Sequence, residues 1–400
     1  MSTWYVDNIA SAGNDGTSWG DAWESFADIV WGSVGAGDTL YISGGAAGQT
    51  YNENLIVGAQ GSIGSRLTVR DSTEANYNGT VQINGIIYFT SKDYVTVRGF
   101  SVYNTAVYAG SKHGDIFIEE NEYPIISHMT LTTPGNSAFQ SDGIYSQRNV
   151  GAIYEHNRIT QSNININPHL DCIQSYLDED LTVRFNYCEM TDTTGTNVQG
   201  IYLTTGTGAF LIHNNVVINP NGTSATAFRN LATGDANLYY YNNTIVFGLY
   251  QGLHITDCPN PRIKNNIFIS IGAGYYYEME DWSGDATRID YNLYYDANDD
   301  STWRFDGGAG KNWAAWQALD FDANGLNTDP DLDDTNEYFP NEGSPAIDGG
   351  IDLGADYALD ILGTSRPQGG GYDMGTYEYI GAAPPPVTGP FASDLIMILS

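Results

Sequence analysis

Short apolar runs flanking an asparagine recur along the middle of this chain at nearly constant spacing. Asn157, Asn186, Asn214, Asn242 and Asn265 follow one another at steps of 29, 28, 28 and 23 residues. Walking back from Asn157, His128, Gly99, Asp71 and Ser43 continue the frame at steps of 29, 29, 28 and 28. A period of this size requires a solenoid or an array. The unit is built of strands and turns, as in Phe210–Ile218 (FLIHNNVVI). That selects a parallel β-helix, in which each strand pairs with its copy one coil on. Equivalent residues of successive coils then lie about 4.8 Å apart. An asparagine carries both a donor and an acceptor and tolerates a left-handed corner, so a column of them suits such a stack. These five are expected to form one vertical scaffold column.

A solenoid lengthens by adding coils, so the 400 residues need not divide into several domains. Roughly nine coils over residues 38–296 make one elongated all-β body, with abundant Gly (46) and Tyr (29) for turns and strands. Residues 1–37 supply an N-terminal strand and a cap. Trp19, Trp23, Phe26, Ala27 and Val30 recur at helical spacing, with Ser18 placed to start the helix. Such a helix covers the apolar core and free strand edges of the first coil, and Gly37-Asp38 then turns into Thr39–Ile42 (TLYI). Residues 297–380 form an irregular closing segment with a second helical stretch, Trp313, Trp316 and Leu319, started by Asn312. Residues 381–400 are a stiff linker, Pro384–Pro390, and an apolar tail, Phe391–Ser400. The tail reads as a docking peptide for a homo-oligomer or larger assembly, or as an end folded back on the coils.

The formal net charge is −33, with 15 basic residues against 48 acidic ones. Phosphate binding needs a basic face, which excludes nucleic acid as a natural partner. Polyanionic glycans are repelled unless Ca²⁺ bridges the two. No apolar run reaches the ~18 residues a membrane span needs. The start, Met1–Val6, has neither a basic nor an apolar leader region. An extracellular or virion-borne protein fits these features, with its leader already removed or with release by another route such as lysis. Cys172, Cys188 and Cys258 make no disulfide framework and read as small core residues.

Two groups of motifs resemble a known superfamily. Tyr5–Asp7 (YVD), Gly13–Trp19 (GNDGTSW) and Gly37–Tyr41 (GDTLY) are similar to the opening of many pectate-lyase-like right-handed β-helix proteins. Asp329–Leu332 (DPDL), Gly343–Asp348 (GSPAID), Arg366-Pro367 and Asp373–Glu378 (DMGTYE) resemble their closing segment. The resemblance implies a single-stranded right-handed parallel β-helix. It leaves the chemistry open, because the superfamily holds lyases, hydrolases, epimerases, phage tailspikes and inert adhesins.

A second strand recurs in each coil: Asp142–Ser146, Asp171–Ser175, Gln199–Leu203, Thr226–Asn230 and Gln251–Ile255. Alternation with Ile144, Ile173, Ile201, Phe228 and Leu253 inward places Tyr145, Gln174, Tyr202, Arg229 and His254 outward, with Phe117 one coil earlier. Flat rings and hydrogen-bonding tips in a row are the surface a sugar chain needs. At the edge of the ribbon stand Asp142 and Asp171, about 5 Å apart at the backbone. Two carboxyls that close cannot both ionise readily and so acquire acid and base character, as glycosidic cleavage requires. The alternative is a turn-bonding ladder, continued by Gln199, Thr226 and Gln251. His169 and His254 are further titratable groups there. A lyase would use Arg229, His254 or Lys264, and the basic doublet of many β-helix lyases is not evident. Glu155 and Arg184 are expected to pair structurally. No cofactor is required, and the acidic run Asp329–Asp334 is the place for Ca²⁺. The leading reading is a tailspike-like protein that binds and depolymerises a polysaccharide, as hydrolase or lyase; the rival is a non-catalytic fibre or adhesin.

Overall fold

The computed structural model describes residues 1–103, 114–133, 142–162, 170–191, 198–219, 226–231, 237–248, 250–258, 261–272, 274–280, 285–297, 302–305 and 308–381. Within them the repeat forms a parallel β-helix. Three sheets of eleven, ten and eleven strands run the length of the stack, and neighbours in each sheet come from successive coils. The first sheet opens with Thr3–Val6 and Thr39–Ile42 and closes with Ile289–Asp290. The second runs from Leu55–Ile56 to Thr302–Phe305, and the third from Gln49–Tyr51 to Leu326–Asn327. Inward residues stack by type. One column of the first sheet reads Val69, Val97, Ile126, Tyr154, Val183, Ile212, Tyr240, Ile263 and Ile289, all fully buried.

The asparagine column exists, with a corrected membership. Asn157, Asn186, Asn215, Asn243, Asn266 and Asn292 lie in line and end on Asp322. In each step the Oδ1 of one residue accepts both the backbone and the side-chain N–H of its predecessor, as for Asn157 on Asn186 at 3.0 and 3.0 Å. Asn214, Asn242 and Asn265 stand one position earlier, at left-handed φ of 54°, 53° and 56°. That corner position belongs to Gly99, His128, His156 and Phe185 in the preceding coils. The sequence frame merged two columns because three coils carry an Asn-Asn doublet. The first residue makes the corner, and the second carries the side-chain bond to the next coil. A further ladder, Asn121–Asn149–Asp178, holds the corner between the second and first sheets. Burial pushes the Asp178 carboxyl up to about 6.

The helix expected over residues 18–34 is not formed. That segment holds two 3₁₀ turns, Phe26–Asp28 and Trp31–Ser33. Trp23 donates its N–H to Tyr5 and accepts that of Asp7, satisfying the free edge of the first sheet, a demand helical backbone could not meet. Of the expected apolar stripe only Trp23 and Phe26 are buried in the core, joined there by Ile29 and Val34, while Ala27 and Val30 are exposed. Ser18 accepts the N–H of Asp21 at 3.1 Å, capping a turn instead of a helix. The second helical stretch is present as Trp313–Gln317, with Asn312 accepting from Ala315 at 3.0 Å.

Two other features depart from the sequence reading or exceed it. Cys172 and Cys188 form a disulfide (Cα–Cα 6.1 Å) joining the second and third sheets through the core, and Cys258 is buried. They pair because each occupies an inward, fully buried position on its sheet, one on Leu170–Tyr176 and the other on Tyr187–Met190. The outer face of the third sheet is also buried. Val216, Ile218, Val246, Ile267 and Leu293 pack under Phe339, Ala346, Ile361, Met374 and Tyr377 of the closing segment. This explains runs such as Val216–Ile218, apolar at every position: both faces are covered. Arg366 anchors the segment, bonding Glu378 at 3.1 Å and the Gly375 carbonyl at 2.7 Å with both members of the pair buried. The linker and tail beyond residue 381 lie outside the described residues.

The two columns should differ sharply on mutation. Asn215→Ala strips partners from the amides of Asn186 inside the core and should cost about 3 kcal/mol in urea unfolding. Asn242→Gly keeps the left-handed corner and should cost about 1 kcal/mol or less. Equal effects would show that the column assignment is wrong.

Candidate functional site

The second sheet presents its outward residues as one in-register column. Coil by coil it reads Tyr88, Phe117, Tyr145, Gln174, Tyr202, Arg229 and His254. It continues through Glu278 to Arg304, two members that sequence reasoning missed. Their strands, Tyr275–Met279 and Thr302–Phe305, lack the Gly or Cys in second place that marked most of the others. The pairing skips that second place in successive coils. There Gly143, Cys172 and Gly200 turn inward: Cys172 is disulfide-bonded, and a Cβ on Gly143 or Gly200 would strike Ile159 or Val217. With two consecutive inward positions, Asp142 and Asp171 share the outer side with the ribbon.

The ribbon is aromatic at one end and charged at the other. Phe117 and Tyr145 stack at 5.4 Å and 5°, and Tyr88 leans on Phe117 at 5.4 Å. Arg229 lies over the Tyr202 ring at 5.6 Å. His254 approaches Glu280 at 3.6 Å, and Arg304 pairs with Glu278. Burial, helped by the Arg229 charge, lowers the His254 pKa against the pull of Glu280. Burial also raises the Tyr145 hydroxyl to about 12.

Asp142 and Asp171 are almost completely enclosed, at 1% and 0% exposure. Asp142 Oδ1 accepts the N–H of Asp171 at 2.9 Å, and Asp171 Oδ1 accepts that of Gln199 at 2.9 Å. Both carboxyls are pushed well above the ordinary range, first by burial. Asp115 adds to the effect on Asp142, and Asp142 to that on Asp171, while Arg229 draws Asp171 back. Further along the column, Thr226 donates to Gln251 at 2.9 Å and Gln251 to Glu278. The structure therefore brings Asp142, Asp171, Tyr145, Gln174, Tyr202, Arg229 and His254 together on one face. His169 lies outside the described residues. Lys264 is elsewhere, on the first sheet opposite Tyr241, because its strand is the next element after the corner.

Glu155 and Arg184 pair as expected, with two bonds of 2.8 and 2.6 Å to one oxygen. Among the described residues no three His, Cys, Asp or Glu side chains converge as metal ligands would. In the run 329–334, Asp329, Asp331 and Asp333 each bond within turns, to Asp331 N–H, Asn341 and Thr335. No helix among them is long and apolar enough to cross a membrane.

No family model matches this chain, and no curated protein does. Solved structures with a similar course include pectate lyase Pel9A, at 13% identity and TM-score 0.49 over 94% of this chain and 96% of that one. The complex of XylC with xylose shows 12% identity and TM-score 0.42 over 94% and 98%. A PL6 family polysaccharide lyase from Pseudopedobacter saltans shows 10% identity and TM-score 0.37 over 89% and 99%. The chain is a parallel β-solenoid, the architecture of the pectate-lyase-like superfamily. Likeness at this level carries nothing about its chemistry.

The buried carboxyls make a pH-dependent prediction. A carboxyl whose folded pKa is raised stabilises fully below its unfolded value, about 3.9, and loses that contribution as pH climbs towards the folded value. Asp171→Asn keeps an acceptor for Gln199 and removes the ionisation. The variant's urea midpoint, relative to the parent protein, should therefore rise between pH 4 and pH 8. A constant difference across that range would show that Asp171 is not held neutral.

Proposed function

We propose that this protein binds a polysaccharide along the outward column of its second sheet and cleaves it, working outside the cell or on a virion. The observation that supports this is the column itself. Half-buried rings at Tyr88, Tyr145 and Tyr202, with the buried Phe117 ring between the first two, share it with polar tips at Gln174, Arg229 and His254, one residue per coil. Rings offer flat faces to sugar C–H groups, and the polar tips reach hydroxyls. A repeating surface suits a repeating ligand.

The chemistry would rest on the carboxyl pair. Burial raises both carboxyls, and the charge of Asp142 raises Asp171 further, which favours sharing of a proton between them. The protonated member can deliver its proton to the glycosidic oxygen while the other, ionised, acts as base or nucleophile. His254 and Arg229 stand next in the row to orient substrate. No step here requires a metal; a Ca²⁺ requirement would appear as loss of activity in EDTA.

One observation favours a second reading, a non-catalytic fibre or adhesin. Asp142 and Asp171 each accept a backbone N–H from the next coil, and Thr226, Gln251 and Glu278 extend the chain of bonds. Such a ladder serves the stack without any substrate.

Incubation with neutral and acidic polysaccharides separates the readings. New reducing ends indicate hydrolysis, absorbance near 235 nm indicates elimination, and silence across a broad panel supports the fibre. Tyr202→Ala should weaken glycan binding by about 1–3 kcal/mol, the apolar area lost. Asp171→Asn should leave binding nearly intact and abolish turnover. If activity in that variant only follows its folded fraction, the pair is scaffold.

A further inference from the structure

A different face of the stack holds a groove of about 760 Å³, between the outer side of the first sheet and residues Ala355–Leu359 of the closing segment. Pockets of this size commonly hold small organic ligands. Its floor is set by two neighbouring columns. The outward column of the sheet runs Arg70, Arg98, Ser127, Glu155, Arg184 and His213. The corner column beside it brings His128, His156 and Phe185 into a stack, at 4.9 and 4.8 Å between rings. The strap is fixed in place, since Asn214 donates to the Leu359 carbonyl at 2.9 Å and His213 meets the Tyr357 ring edge-on at 4.9 Å.

Two guanidinium groups, Arg98 and Arg184, and two carboxylates, Glu155 and Asp356, line this groove. Arg184 is committed to Glu155, and Arg70 lies 3.6 Å from Asp71. Asp356 sits exposed on the strap. Burial holds His128, His156 and His213 uncharged, down to about 3, 4 and 3. Arg98 has neither a hydrogen bond nor an ion pair among the described residues, and its Nε is buried without a partner. His128 Nδ1, beside it, is likewise buried and unpartnered. Burial lowers the Arg98 pKa against the pull of Asp71 and Glu155, which act on it only through space; a half-buried guanidinium without a direct partner costs free energy unless something fills the place.

We propose that this groove binds a carboxylate, held by the Arg98 guanidinium, with His128 Nδ1 bonding a neighbouring hydroxyl. A guanidinium fork matches a carboxylate in geometry. Arg98 offers one guanidinium with no direct partner, enough for a single carboxylate, and the nearby carboxylates of Asp71, Glu155 and Asp356 disfavour a dianion such as phosphate. The carboxylate could come from a sugar acid or from a free carboxylic acid. The site lies on another sheet from the ribbon and does not depend on the glycan reading.

The test is a titration of the whole protein with glucuronate, acetate, glucose and inorganic phosphate, followed by calorimetry and by the imidazole proton resonances. Glucuronate should bind and shift the His128 and His156 resonances, assigned through His128→Gln and His156→Gln. Arg98→Gln should weaken binding at least tenfold, and Tyr202→Ala on the ribbon should leave it unchanged. Glucuronate without acetate indicates a sugar acid; both together indicate a general carboxylate site. Failure of both carboxylates, equal binding of glucose, preference for phosphate, or unmoved histidine resonances would each overturn the proposal. The resonance shifts are read in the unaltered protein, so they decide the matter even if Arg98→Gln fails to fold.

Discussion

Amide-to-amide bonding along the column from Asn157 to Asn292 ties each coil to the next at a buried corner, where water cannot substitute. Both outer surfaces inherit their order from it. Side chains alternate along a strand, so a slip of one residue between coils would send core residues outward and ribbon residues inward. The corner therefore fixes, from inside, which side chains line up on the second sheet and which flank the groove on the first.

What could be read from the sequence followed from how local each determinant is. The ribbon from Phe117 to His254 was legible because strand alternation and coil period act together on short segments. The carboxyl positions were legible for the same reason, although only the structure shows that an extra inward residue per strand keeps Asp142 and Asp171 on the outside. Doublets defeated the reading: Asn214-Asn215 offers two candidates for one column, and backbone conformation chooses between them. Trp23 shows another limit. Its apolar spacing is helical, but the hydrogen-bonding need of the sheet edge at Tyr5 and Asp7 overrides local preference. The Arg98 groove could not be found this way, since its roof, Ala355–Leu359, comes from the far end of the chain.

The third sheet makes a related point about composition. Its early strands, such as Val81–Ile83, alternate in polarity, whereas Val216–Asn219 and Thr244–Phe247 are buried at every position. The change marks where the closing segment lies down on the coils. A continuous apolar run in a solenoid strand thus signals an extra layer outside the coil, not a deeper core within it.

That layer alters how the molecule can come apart. A bare solenoid behaves as a one-dimensional lattice in which coils couple only to neighbours and can peel away from either end. Here the closing segment runs back along the stack. Glu337 holds Arg158, Leu359 holds Asn214, Thr376 holds Asn215 and Thr244, and Ile351 holds Asn265. Coils remote from one another along the axis are spliced in parallel by a single strip of chain. The C-terminal coils cannot open one at a time without first lifting that strip. They are expected to lose structure as a block, and the first coils, which the strip does not reach, to fray independently.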